Sequence, residues 1–105
     1  MKIHLKGDGA TRTVWLNGKE LDPKPSQKFR NHSPTGFAWG YGGSGPTQLA
    51  LAVLLEVHGL DYVKRHGYHN FRDRVIAELS WPDLVDIITD TDLNRERVLT
   101  ERVEL

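Results

Sequence analysis

The sequence contains no cysteine, which excludes disulfides, a thiol nucleophile and any cysteine-ligated zinc site. It has no long apolar run. The longest, Leu49 to Leu55, falls far short of the ~20 residues that a membrane-spanning helix needs. Nothing at the N-terminus has the apolar segment of a secretory signal, so a cytoplasmic location without membrane association is the expectation. Net charge is absent as well, 14 Lys and Arg balancing 14 Asp and Glu. The charge is unevenly spread, however. Residues 1–45 hold Lys2, Lys6, Arg12, Lys19, Lys24, Lys28 and Arg30 against Asp8, Glu20 and Asp22, while acids predominate in the remainder. A basic half could attract an anion. These cations are scattered along the sequence, so most of them read as ordinary surface charge.

At 105 residues, 38% apolar and 27% charged, the chain has the composition of an ordered protein and room for a single domain, 1–105, with one core. Lys2–Lys6 alternates apolar and polar residues and Arg12–Leu16 is rich in β-formers, so both read as strands, with a turn at Gly7-Asp8-Gly9. Asn17-Gly18 is a strong tight-turn signal. Lys19–Leu21 and Gln27–Arg30 read as short strands separated by the ladder-breaking Pro23 and Pro25. Pro46–Glu56 predicts a helix, with proline in its first turn and Gly59 at its end. Its apolar residues run nearly all round, which makes it the central buried helix. A second helix is expected over Asp61–Leu79, interrupted at Gly67. Another should start near Ser80-Trp81-Pro82-Asp83 and run into Leu84–Ile88, and a last short one should cover Leu93–Val103. The fold class is α+β: an N-terminal antiparallel hairpin or small sheet packed on a buried central helix, with two to three further helices after it.

The segment between these halves, from Arg30 to Gly45, combines glycines with Phe37, Trp39 and Tyr41. Glycine permits conformations closed to other residues and lets another molecule approach the backbone. A glycine-rich entry into a helix presents free N–H groups and a partial positive charge, the ingredients of an anion site. Gly40, Gly42 and Gly45 match the spacing of the dinucleotide fingerprint, but no βαβ unit of sufficient length surrounds them. The phosphate-loop pattern fails because no lysine follows the last glycine, and the nucleophile-elbow pattern fails at Pro46. Arg30, Asn31, His32, Ser33 and Thr35 place five hydrogen-bonding side chains within six residues. They form either a recognition surface or an internal hydrogen-bond network. The plainer account is that the glycines thread the chain beneath Trp39 and Tyr41 while Ser44 caps the helix.

The run Arg30-Asn-His-Ser-Pro-Thr-Gly-Phe-Ala-Trp-Gly-Tyr-Gly-Gly-Ser-Gly-Pro-Thr-Gln-Leu-Ala-Leu-Ala resembles the core motif of a family of small proteins of unknown function found in bacteria, phages and other mobile elements. Thr47 stands where that motif has alanine. The resemblance carries no activity. It implies that the motif is the working part and that phage–host conflict is a plausible setting.

Other constellations are weaker. His58, His66 and His69 lack a suitably spaced acid to complete a metal site. His32 with Ser33 or Ser44 lacks an orienting acid for nucleophilic catalysis. Lys64, Arg65, His66, Arg72 and Arg74 make a basic helix face interrupted by Asp61, Asp73 and Glu78, so nucleic acid is not the favoured partner. No catalytic residue, metal or cofactor is assigned. The preferred reading is a non-enzymatic protein binding an anionic, phosphate-bearing or nucleotide-like small molecule. Its ligand would meet Arg30, Asn31, His32, Ser33, Thr35, Trp39, Tyr41, Gly42, Gly43, Ser44, Gly45, Thr47 and Gln48. In a phage setting such a protein could sequester an immune signal. The alternatives are an inhibitor docking its aromatic-glycine loop on a host protein and, third, a small hydrolase or transferase. The small size and apolar helix favour a homo-oligomer.

Overall fold

A computed structural model describes residues 1–91 and 100–102 of the chain. Strand β1 (Lys2–Asp8) turns Ile3, Leu5 and Gly7 inward, and β2 (Thr13–Leu16) returns antiparallel to it with Leu16 opposite Leu5 and Val14 opposite Gly7. β1 therefore extends through Gly7 and Asp8, where the sequence suggested a turn, and the reversal occupies residues 9–12. Asn17 and Gly18 take φ values of 52° and 83°, the paired positive values that suit a two-residue hairpin turn. β3 (Lys19–Glu20) follows against β2.

The expected strand at Gln27–Arg30 is instead the end of a short helix, α1 (Lys24–Phe29). Pro25 lies in its first turn, where its missing N–H costs nothing. Ser26 donates its hydroxyl back to the Pro23 carbonyl at 2.7 Å. A Pro-x-Pro sequence read as a strand breaker thus serves as a helix start.

α2 (Ser44–His58) is the central helix, and every residue from Gly45 to Leu54 is buried. Leu49, Leu51, Val53 and Leu54 pack with Ile3, Leu5, Val14, Leu16 and Ile87 of the sheet and with Phe71, Val75 and Ile76. Gly59, at φ 86°, ends α2 as expected. The long helix predicted next is broken into α3 (Leu60–His66), α4 (His69–Arg74) and a 3₁₀ turn (Ile76–Glu78), with Gly67 at the first break. Because the chain itself covers the apolar surface of α2, that helix supplies no motive for oligomerisation.

A further correction falls at Leu84–Ile88, which is not helical. β4 (Val85–Asp90) pairs antiparallel with β1 from Gly7↔Val85 to Lys2↔Asp90. Val85, Ile87 and Thr89 face inward, so the segment has the two-residue period and β-branched content of a strand. Most of the helix expected at Leu93–Val103 lies outside the described residues. Thr100–Arg102 forms β5, which pairs with β4. The sheet is antiparallel throughout, in the order β3-β2-β1-β4-β5, and with the helices makes an α+β fold. Among the described residues no helix is long and apolar enough to cross a membrane.

Candidate functional site

Gln48 sits one turn inside α2 and is fully buried. A buried amide must find partners for both ends, and this one does so on the preceding loop. Its Oε1 accepts the backbone N–H groups of His32 at 2.7 Å and Ser33 at 3.0 Å. Its Nε2 donates to Ser26 Oγ at 2.8 Å and to the Arg30 carbonyl at 3.2 Å. Gln27 adds a bond from its Nε2 to the Ser33 carbonyl at 2.8 Å. The start of the Arg30–Gly45 segment is thereby fastened to α2, and Gln48 acts as an internal clamp.

Several other residues expected at a ligand are likewise committed within the fold. Ser33 is buried, with its hydroxyl 3.4 Å from that of Thr35. Trp39 is 1% exposed, donates its indole N–H to the Ser80 carbonyl at 3.0 Å and meets Trp81 edge-on. It forms part of the core and presents no face on which a base could stack. Gly45 is buried against Ala38. Gly40, at φ 85°, donates its N–H to the Ile76 carbonyl, and a Cβ there would lie 2.6 Å from the Leu79 carbonyl oxygen. Glycine is needed at that close approach of two backbones.

Ser44 does not cap α2. Gly43 is the N-cap and provides no side-chain bond. The Thr47 hydroxyl donates to the Gly43 carbonyl at 2.7 Å, so it does not satisfy the helix N–H groups. The Thr47 N–H donates the first helical backbone bond, to the Gly43 carbonyl, and Ser44 and Gly45 carry the N–H groups ahead of it. Tyr41 is 47% exposed, and its ring lies over Gly43. Gly42 faces open space. Arg30 and Asn31 are exposed, and Thr35 is approached by Arg12 at 3.4 Å.

The fold adds three residues from the α3–α4 region that no sequence spacing connects to the motif. His32 Nε2 lies 2.7 Å from the Tyr68 hydroxyl, 36 residues away. His69 stacks on Tyr68 and meets the His32 ring at 6.4 Å between centroids. Arg72 Nη1 donates to Thr47 Oγ1 at 3.1 Å, in the first turn of α2, while its Nε holds Asp73. In the sequence His69 and Arg72 stand out only for a metal site and for a basic helix face, and Tyr68 does not stand out. Burial and the fields of His69, Arg30 and Arg72 hold His32 below the usual histidine value of 6.5. Burial raises Tyr68 above the ordinary phenol range, against an opposing pull from Arg30. The hydrogen bond from Arg72 keeps the Asp73 carboxyl below its normal range.

Among the described residues no carboxylate hydrogen-bonds to the His32 ring, whose partner is the Tyr68 phenol, so these residues do not assemble the base-plus-acid geometry of nucleophilic catalysis there. Among the described residues no three His, Asp or Glu side chains group as metal ligands. The motif thus divides into a buried half that fixes the loop and an exposed half that includes Arg30, Asn31 and Tyr41; between them His32 meets the buried Tyr68 and the exposed His69, and Arg72 reaches the first turn of α2. Comparison with curated proteins and with solved structures gives no match. Residues 5–100 match the model of a family of unknown function (DUF6166), and the chain belongs to that family.

Proposed function

We propose that this protein is a non-enzymatic binding protein that holds an anionic, phosphate-bearing small molecule at the exposed half of the motif. One observation carries the reading: the His69 ring meets His32 at 6.4 Å and Arg72 bonds Thr47 in the first turn of α2, and among the described residues the charges that lower His32 (His69, Arg30 and Arg72) are basic. Cations held together cost free energy through mutual repulsion, and an anion relieves that cost. Arg72 brings this charge against the first turn of α2 through Thr47, where the helix dipole has the same sign. The nearby N–H groups of Ser44 and Gly45 suit phosphate oxygens. Tyr41 is an exposed ring of the motif able to stack on a base. A nucleotide-like signal sequestered during phage–host conflict is the biological form of this proposal.

Thermal denaturation with inorganic phosphate, mononucleotides and cyclic dinucleotides tests it. A ligand at 100 times its Kd stabilises by about 2.7 kcal/mol, which for a chain of this length is a rise of roughly 10 °C or more. Nucleosides without phosphate should give no such rise. Arg30→Ala and Arg72→Ala should each weaken binding by about tenfold to a hundredfold, as expected for loss of a charge-assisted bond, while leaving a folded protein. If no phosphate-bearing compound raises the midpoint, the reading fails. A second reading, docking of the loop on a host protein, draws on the exposed Tyr41 ring. It predicts that Tyr41→Ala abolishes capture of that protein without altering phosphate binding.

A further inference from the structure

The His32–Tyr68 contact has a direction that depends on protonation. A neutral imidazole has one N–H and one acceptor nitrogen, so either the ring or the phenol can donate across the 2.7 Å contact. A protonated imidazole has two N–H groups and no acceptor. Its Nε2–H must then donate to the Tyr68 oxygen, and the phenol hydrogen is released to point elsewhere. In either neutral tautomer the pair presents one outward hydrogen, Nδ1–H or the Tyr68 O–H; one proton on His32 makes both available, adding one donor together with a positive charge. The surrounding groups set when this happens. Arg30 on the same loop and His69 and Arg72 on α4 oppose the proton, while Asp73 is engaged by Arg72. Gln48 and Thr47, which face this region from α2, are neutral. The pair thus offers one donor when the face is empty, and gains a second when an incoming dianion cancels the cationic field.

Resting on the anion reading above, we propose that the Arg30–His32–His69–Arg72 face selects a doubly charged phosphate group, as in a phosphate monoester, and that binding draws one proton onto His32 and fixes its Nε2–H as the donor to Tyr68. His32 is held below 6.5 in the free protein, so it is mainly neutral at neutral pH, and binding raises its proton affinity. By linkage, affinity for a dianion rises as pH falls through the range in which the bound His32 is protonated and the free one is not, by at most tenfold per pH unit.

Titration calorimetry with sulfate tests this. Sulfate stays a dianion over the whole range, so any proton exchanged belongs to the protein. Measurements at neutral pH in buffers of different ionisation enthalpy give the number of protons taken up. We expect uptake approaching one proton in the parent and none in His32→Gln, which should bind more weakly and independently of pH. Tyr68→Phe should retain binding with reduced uptake. Dimethyl phosphate, with a single charge, should bind at least tenfold more weakly than sulfate. Sulfate binding without proton uptake, or uptake that survives in His32→Gln and disappears in His69→Gln, overturns the inference and leaves the anion reading standing. Dimethyl phosphate binding as tightly as sulfate overturns the selection of a dianion. No binding of either anion overturns both this inference and the anion reading.

Discussion

Replacing Gln48 with alanine should lower stability by about 4 kcal/mol, since each buried backbone donor left without a partner costs roughly 1–3 kcal/mol, and should lower the unfolding midpoint by roughly 20 °C. Two donors lose their acceptor, the N–H groups of His32 and Ser33. Ser26 Oγ and the Arg30 carbonyl lose the amide that faced them. Native proteins are stable by only about 5–15 kcal/mol, so this single change should remove a large share of the total. Gln48→Glu separates the two ends of the clamp. It keeps an acceptor for the two N–H groups but replaces the amide donor with an ionised oxygen facing the Arg30 carbonyl, in a site closed to water. Burial favours the protonated form of the new carboxyl, so this variant should regain stability as pH falls, whereas the alanine variant should not. Urea titrations of the three proteins at neutral and mildly acid pH measure both effects. An alanine variant that melts within a few degrees of the parent would mean that the loop is not clamped and that Gln48 is available to a ligand.

How much of this was legible in the sequence depends on whether the deciding contact is local. α2 could be read because its apolar residues and the glycine after it act within a few residues of themselves. The Asn17-Gly18 turn was readable for the same reason, since both residues tolerate the positive φ they adopt. β4 was misread because Trp81-Pro82-Asp83 resembles a helix start. What makes Val85–Asp90 a strand is its pairing with β1, about 80 residues earlier in the chain, as in the contact between His4 and Asp86. At the site, the sequence reading places Gln48 among the residues that meet a ligand. Its true partners are mostly backbone groups, which carry no sequence signature. Trp39 reads from the sequence as a ring of the glycine-rich loop that could stack on a ligand. Its burial depends on Gly7 and Ser80, neither of them near it in sequence. Tyr68, His69 and Arg72 reach His32 and Thr47 only because Gly59 and Gly67 fold the helices back.

Gly7 and Trp39 should behave as one unit under mutation. Gly7 lies within β1, between Val14 on one side and Val85 on the other, where glycine normally weakens a strand. Its absent side chain makes room for the indole: a Cβ would lie 2.7 Å from Trp39 Cη2 and 3.0 Å from Cζ3. The ring has little freedom to yield. It is held by the Ser80 carbonyl and by Trp81 at 5.0 Å between centroids. Gly7→Ala should therefore overpack the core and cost about 1–3 kcal/mol. Trp39→Ala should cost about 3–5 kcal/mol through the cavity it leaves and the loss of the donor to Ser80. The informative protein is the double variant with Trp39→Phe. Phenylalanine lacks the outer ring atoms that crowd Gly7, so alanine at position 7 meets less resistance. The two changes together should be at least ~1 kcal/mol less destabilising than the sum of each alone, within the range seen for residues in direct contact. Urea unfolding of the parent, both single variants and the double variant measures that coupling. Additivity within about 0.5 kcal/mol would show that the indole does not rest on the strand, and that glycine at position 7 serves some other need. The expected coupling ties the motif to β1: the packing that buries Trp39 also brings Gly40 to the Ile76 carbonyl and orients the chain toward Gly43 and the start of α2, so a loosened indole should weaken anion binding as well as the fold.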